Sequence, residues 1–116
     1  MRRVLVVDDD PQVLSLMTRC LQSAGYEVVV SDDFRDARVQ MEVWDPSVVI
    51  ADIRLGSFNG IQLGIIARQV RSDVGVVITS GFDDVVLRRD AAKIGAHYLP
   101  KPFKPADLLT AVESAG

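Results

Sequence analysis

Side chains that could take part in a reaction follow four short aliphatic runs of the sequence. Acids follow the first and third runs, hydroxyls end the fourth and a lysine follows the fifth: Asp8-Asp9-Asp10, Asp52, Thr79-Ser80 and Lys101. The strands of an open parallel sheet bind ligands beyond their carboxyl ends. We therefore expect these acids, hydroxyls and the single ammonium group to lie close together if the runs are neighbouring strands.

This combination of side chains suits the transfer of a phosphoryl group. Carboxylates a few ångströms apart repel each other, and without a counter-charge some of them would take up protons. Mg²⁺ supplies such a charge and prefers carboxylate oxygens, backbone carbonyls and waters as ligands. A metal ion, a lysine and a hydroxyl stabilise the charge of a phosphoryl group in transit, and a carboxylate can accept that group as an acyl phosphate.

Each of these residues, taken alone, has a simpler structural interpretation. Asp10 precedes a proline and fits a helix N-cap, the role that we favour for it. Lys101 alone would be a solvated lysine, and Ser80 with the glycine after it would be a turn. Tyr98 alone would be a half-buried core aromatic. Only their coincidence at one edge of a sheet favours a common site.

The elements that must position these side chains can be read from the hydrophobic pattern. Strands are predicted over 4–7, 27–30, 47–51, 76–79 and 98–99, and helices over 11–24, 34–44, 63–70, 87–94 and 105–112. The first of these strands, Val4 to Val7, is aliphatic without alternation, as a strand buried on both faces is. Strands and helices alternate, which predicts an α/β fold with a parallel sheet covered by helices on both faces.

Composition and charge limit the class of protein. The sequence has 116 residues, which fits one domain over 1–116, with 48% hydrophobic and 25% charged residues. The net charge of −3 does not indicate nucleic-acid binding. Cys20 is the single cysteine, so no disulfide can form within the chain, and the apolar run near Met1 is too short for a signal peptide or a membrane span. We expect a cytoplasmic location.

The motifs at the strand ends match a known family in type and order. They are Leu5-Val6-Val7-Asp8-Asp9, Val49-Ile50-Ala51-Asp52-Ile53-Arg54-Leu55 with Asn59-Gly60, Ile78-Thr79-Ser80-Gly81-Phe82, and Gly95-Ala96 with Tyr98-Leu99-Pro100-Lys101-Pro102-Phe103. With them the chain resembles, over essentially its whole length, the CheY-like receiver domains of two-component response regulators. The resemblance implies a flavodoxin-like (βα)5 three-layer sandwich, with a parallel sheet in the strand order 2-1-3-4-5.

The resemblance also implies which residues accept the phosphoryl group and bind the metal. Asp52 corresponds to the phosphoacceptor. Asp9, Asp52 and the backbone carbonyl of Arg54 correspond to the direct ligands of Mg²⁺, which Mn²⁺ can replace. Asp8 corresponds to an acid that acts on the metal through water.

Further family positions concern the bound phosphoryl group and the response to it. Ser80 and Lys101 correspond to the residues that contact phosphoryl oxygens, and the resemblance suggests a cis Lys101–Pro102 peptide bond. Tyr98 corresponds to an aromatic whose orientation follows Ser80. The face formed by the fourth helix, fifth strand and fifth helix then transmits the signal to a partner or to a second copy of the chain.

The implied function is a signalling switch and not an enzyme. A sensor histidine kinase or a histidine phosphotransfer protein would donate the phosphoryl group, and the domain itself would contact neither nucleic acid nor membrane. A phosphatase of the haloacid-dehalogenase type is an alternative, since it also uses an aspartate nucleophile and Mg²⁺. Such enzymes typically place a second acid where this chain has Arg54, and they need a cap region that so short a chain does not offer. A binding module that never reacts is the third possibility.

Four positions depart from the family pattern or affect the lifetime of the phosphorylated state. Gly56 stands where proline is frequent and is expected to loosen the loop after Asp52. His97 occupies alone a place where two residues are usual, and we expect it in a loop. Arg54 and Phe82 are expected to flank the path of the water that hydrolyses the acyl phosphate, although Phe82 would equally fit an aromatic packed on the fourth helix.

Overall fold

A computed structural model describes residues 2–56, 58–81 and 85–115 of the chain. Strands and helices alternate throughout this part, and their bounds are β1 (Arg3–Val7), α1 (Pro11–Ser23), β2 (Glu27–Ser31), α2 (Phe34–Val43), β3 (Val48–Asp52), α3 (Gly60–Val70), β4 (Gly75–Ser80), α4 (Val85–Lys93), β5 (His97–Pro100) and α5 (Pro105–Ala115). The predicted α/β class is therefore confirmed. Within the described residues, no helix has the length and apolar composition needed to cross a bilayer.

The strands form one parallel sheet in the order β2-β1-β3-β4-β5, as the resemblance implied. Val7 pairs with Ala51 and Asp52 pairs with Thr79. Asp8 and Asp52 thus leave neighbouring strands at the same level, at the carboxyl edge of the sheet. The register alone brings the two acids together.

Helices cover the two faces of the sheet, and the sheet separates two hydrophobic clusters. On one face α2, α3 and α4 pack on alternate strand residues such as Leu5, Val49 and Ile78. On the other face α1 and α5 pack on the intervening residues, such as Val6 and Ile50. Because strand side chains alternate between faces, this division follows directly from aliphatic runs that are buried on both sides.

Local signals explain where α1 begins and ends. The carboxylate of Asp10 accepts a hydrogen bond from the backbone N–H of Gln12 at 2.9 Å, which confirms the N-cap role. Gly25 follows the helix with φ 93°, the left-handed conformation expected of a glycine at this place.

The start of α3 lies earlier than the sequence pattern indicated. The helix begins at Gly60 and not near Leu63, because Asn59 and Gln62 form a reciprocal capping box. Gly60 is required here, since a Cβ atom at this position would lie 2.4 Å from the backbone oxygen of Asp52. This close approach returns the chain to Asp52 before α3 begins.

The expectation that His97 lies in a loop was wrong. His97 is the first residue of β5 and pairs with Val77 of β4, although it is exposed. Gly95 lies between α4 and β5 with φ 70°, which lets the chain leave the helix and enter the strand across only three residues, 94–96. The missing residue shortens the connection without displacing β5 from the sheet.

Candidate functional site

Three carboxylates cluster at the carboxyl edge of the sheet. Asp8, Asp9 and Asp52 each offer an oxygen within 4.8 Å of the others. Asp8 and Asp52 are 1% and 8% exposed, whereas Asp9 is open to solvent. Three like charges at this separation need compensation, and the predicted gathering of acids is present in the structure.

Lys101 supplies part of that compensation. Its Nζ atom donates to Oδ2 of Asp8 at 2.8 Å and to Oδ1 of Asp52 at 3.3 Å. Its backbone N–H donates to the carbonyl of Ser80 at 2.7 Å, and its peptide bond to Pro102 is cis. The lysine that follows β5 therefore reaches across β4 to the acids of β1 and β3.

Asp52 and Lys101 alter each other's pKa. Burial raises the pKa of Asp52, and the charge of Asp8 adds to this, while Lys101 opposes both effects. Burial by itself would lower the pKa of Lys101, but the hydrogen bond and charge of Asp8 and the charge of Asp52 outweigh it and raise that pKa. At neutral pH Lys101 therefore stays charged.

Asp8 is held in place from both sides. Its backbone N–H donates to the carbonyl of Ser31 at 3.1 Å, and its Oδ1 accepts from the backbone N–H of Asp10 at 2.9 Å. Asp10 in turn caps α1 and does not belong to the acidic cluster. The run of three aspartates thus divides into two acids of the cluster and one helix cap.

The chemistry of the donor set fits a hard divalent cation. Asp8, Asp9 and Asp52 present only carboxylate oxygens, which Mg²⁺ and Mn²⁺ accept readily and soft metals do not. Asp9 is exposed, so an ion at this place would keep waters in its shell, as Mg²⁺ prefers. The Arg54 side chain is exposed at the rim, in the loop that follows Asp52.

Two consecutive residues with hydroxyl groups end β4. Ser80 and Thr79 are both fully buried. Thr79 pairs with Asp52 across the sheet, yet its Oγ1 has no hydrogen-bond partner within the described part of the chain. The sequence motifs indicate a role for Ser80 alone, and only the register with Asp52 shows that Thr79 also lies near the site.

The aromatic candidate on β5 has a neighbour that the sequence did not indicate. Tyr98 is partly buried, and the guanidinium of Arg88 from α4 lies over its ring at 4.8 Å from the centroid. Phe82, the other aromatic singled out in the sequence, lies outside the described residues.

The loop after Asp52 is closed by contacts that the sequence did not indicate. Leu55 and Phe58 exchange two backbone hydrogen bonds, and the Phe58 ring stacks on Phe34 of α2. Gly56 has φ 64°, an angle that proline cannot adopt. The glycine therefore permits a turn of a different shape, which these contacts close.

Comparison with known proteins gives a consistent result. Residues 4–113 match the family model described as the response regulator receiver domain. The C4-dicarboxylate transport transcriptional regulatory protein DctD of Pseudomonas aeruginosa is 35% identical over 97% of this chain and 25% of its own length. The DNA-binding response regulator MtrA of Mycolicibacterium smegmatis is 34% identical over 97% of this chain and 50% of its own length. The chain thus spans at most half of these two relatives.

Solved structures agree with the sequence relatives. A CheY-like receiver domain protein from Methanospirillum hungatei JF-1 is 26% identical, with a TM-score of 0.92, and the similarity covers 98% of this chain and 92% of that one. The similarity extends over all the elements that carry the acidic cluster and Lys101.

Proposed function

The chain belongs to the response regulator receiver domain family, and we propose that it accepts a phosphoryl group on Asp52 from a histidine kinase or a histidine phosphotransfer protein. Membership of the family implies phosphorylation-dependent signalling. The observation that carries the proposal is the ion-paired cluster in which Lys101 bridges Asp8 and Asp52. We propose that the reaction takes place in the cytoplasm, because a chain with a single cysteine and no disulfide suits a reducing compartment.

The proposed reaction uses the side chains of this cluster directly. A carboxylate oxygen of Asp52 attacks the phosphorus of a phosphohistidine whose second ring nitrogen is protonated. The bond between phosphorus and nitrogen breaks, its electron pair stays on the nitrogen, and the histidine leaves as a neutral imidazole. The ammonium group of Lys101 turns from Asp52 to a phosphoryl oxygen and pairs with it. Ser80 donates a hydrogen bond to a second phosphoryl oxygen. Both groups act where negative charge is present during the transfer.

A divalent cation fits the same cluster and is part of the proposal. Asp9, Asp52 and the backbone carbonyl of Arg54 would hold Mg²⁺ or Mn²⁺, with Asp8 contributing through water. The ion would neutralise the acids and the charge on the transferred group. Lys101 offsets a part of the same negative charge, because its Nζ atom is ion-paired with Asp8 and Asp52.

The signal is proposed to leave the site through Ser80 and Tyr98. A hydrogen bond from Ser80 to the phosphoryl group would favour an inward position of Tyr98, and α4, β5 and α5 would rearrange for a partner or a second copy of the chain. A ligand shifts such an equilibrium only by its different affinities for the two states. The bond from Ser80 would supply part of that difference.

The persistence of the signal is a further part of the proposal. Arg54 and Phe82 stand two positions after Asp52 and Ser80, where they would flank the approach of the hydrolytic water. A bulky apolar group and a cation would both hinder that water, and each tenfold slowing needs about 1.4 kcal/mol of barrier. The variants Phe82→Glu and Arg54→Asn should therefore lose the phosphoryl group faster, and unchanged decay rates would remove these residues from this role.

Incubation with acetyl phosphate and Mg²⁺, followed by intact mass measurement, tests the central proposal. We expect a gain of one phosphoryl group in the wild type, none in Asp52→Asn and a normal gain in Asp10→Asn, which keeps the cap of α1. Release of many phosphates per chain would instead indicate a phosphatase. No gain at all would indicate a module that only binds.

A further inference from the structure

We propose that the stacked rings of Phe34 and Phe58 are positioning residues for the metal site, because they fix the direction of the Arg54 backbone carbonyl. The inference rests on the proposed function, which assigns that carbonyl to the metal. It adds two residues, from α2 and from the loop between β3 and α3, that would act on the metal only through the backbone.

The stack joins two separate parts of the chain. The ring centroids of Phe34 and Phe58 lie 4.3 Å apart with an angle of 14° between the ring planes. Phe34 is the first residue of α2 and is 9% exposed, whereas Phe58 is 42% exposed. Asp33 caps this end of α2 by accepting from the N–H of Asp36 at 2.8 Å. The ring of Phe58 thus rests on a support that is buried and capped.

Phe58 transmits this support to the backbone beside Arg54. The N–H of Leu55 donates to the carbonyl of Phe58 at 2.9 Å, and the N–H of Phe58 donates back at 3.1 Å. The N–H of Leu55 belongs to the same peptide unit as the carbonyl of Arg54. In a planar trans peptide these two groups point in opposite directions. The bond that holds one of them therefore orients the other.

The residue on the other side of Arg54 is held as well. The N–H of Ile53 donates to the carbonyl of Thr79 at 2.8 Å, and its carbonyl accepts from the N–H of Gly60 at 3.2 Å. These bonds belong to the sheet edge and to the start of α3. The anchor at Phe58 differs from them, because it depends on a partly exposed ring that is secured, among the residues described, by one aromatic contact.

Loss of the stack should therefore affect the metal more than the fold. Mg²⁺ demands near-ideal octahedral geometry, so a carbonyl that is free to turn is a poorer ligand. An aromatic pair contributes enough to change a binding constant about 3- to 10-fold. Asp9 and Asp52 would keep their places at the ends of β1 and β3, so the acceptor itself stays intact.

Calorimetric titration of Mg²⁺ into Phe34→Leu, Phe58→Leu and the double variant tests the inference. We expect each single change to raise the Kd for Mg²⁺ about 3- to 10-fold, and the double change to raise it no further, because either change breaks the same stack. The phosphorylation rate from acetyl phosphate at saturating Mg²⁺ should stay close to that of the wild type. Phe58→Tyr retains a stacking ring and should keep the wild-type Kd.

Trp44→Leu is the matched control, since Trp44 is an aromatic at the opposite end of α2 and should leave the Kd unchanged. Unchanged constants in the Phe variants beside normal binding by the wild type would overturn this inference alone. Increases that add up in the double variant would show two independent rings and would also overturn it. A wild-type chain that binds no Mg²⁺ would overturn the proposed function and this inference with it.

Discussion

Two regions meet at the carboxyl edge of the sheet and differ in how firmly they are held. In the acidic cluster, Lys101 ties the buried carboxylates of Asp8 and Asp52 together. In α4, among the residues described, only Ala91 is buried, while Val85 and Val86 are 66% and 61% exposed. A region with few buried contacts can move at a small cost in free energy. The acidic cluster is thus the firmly held region, and we expect α4 to be the loosely held one.

Ser80 and Lys101 link the two regions. Ser80 ends β4 and pairs with Pro100 of β5, and its carbonyl accepts from the N–H of Lys101. We therefore expect a change in the hydrogen bonding of Ser80 to alter the positions of both Lys101 and β5. The strength of each region can be tested separately by single substitutions.

The largest effect is expected from Lys101→Met, which removes the cation from the firm region. Breaking a buried ion pair leaves carboxylates without compensation, and we expect the free energy of unfolding to fall by about 2–3 kcal/mol in metal-free buffer. Phosphorylation by acetyl phosphate should slow about 100-fold. Thermal melts and intact mass measurements give both quantities.

Lys104→Met is the control for that variant, because Lys104 is exposed and its side chain has no contact with the cluster. A Lys101→Met protein as stable as the wild type would mean that the ion pairs contribute nothing net to the firm region.

Mg²⁺ should strengthen the same region without any substitution. A ligand that binds only the folded chain stabilises it by about 2.7 kcal/mol at 100 times its Kd. The melting temperature of the wild type should rise with Mg²⁺, and the rise should be lost in Asp9→Asn and kept in Asp10→Asn. An equal rise in all three proteins would point to a general salt effect and not to the acidic cluster.

The firm region is also the part of the molecule that the sequence predicted best. Aliphatic runs fixed the strands, and the acids after them were expected at one edge because parallel strands end together. The contact of Arg88 with Tyr98 and the stack of Phe34 on Phe58 could not be foreseen, since they depend on side-chain packing between elements distant in sequence. The early start of α3 had a readable signal, the Asn59 and Gln62 capping box.

Thr79→Val tests whether the buried hydroxyl of Thr79, at the end of β4, lowers the stability of the firmly held region. A buried hydroxyl without a partner costs about 1 kcal/mol or more, and valine has the same shape without that group. We expect the variant to be about 1 kcal/mol more stable in chemical denaturation. Thr18→Val is the control and should bring no gain, because the hydroxyl of Thr18 donates to the carbonyl of Leu14 at 2.7 Å. A destabilised Thr79→Val would reveal a hydrogen bond to water or to a residue beyond those described.

The smallest effect is expected in the loosely held region, from Arg88→Ala. The guanidinium of Arg88 lies over the ring of Tyr98, and we expect this contact to favour the ring position of the unphosphorylated chain. An exposed contact of this kind is worth about 0.5–1 kcal/mol, so its loss should tighten the binding of beryllofluoride about 2- to 5-fold. NMR titration of Tyr98 measures the affinity and the ring environment together, with the exposed neighbour Arg89→Ala as control. Weaker binding in Arg88→Ala would mean that the contact supports the signalling state. In that case phosphorylation would strengthen the contact between Arg88 and Tyr98. It would hold α4 more firmly, and the difference between the two regions would disappear in the phosphorylated chain.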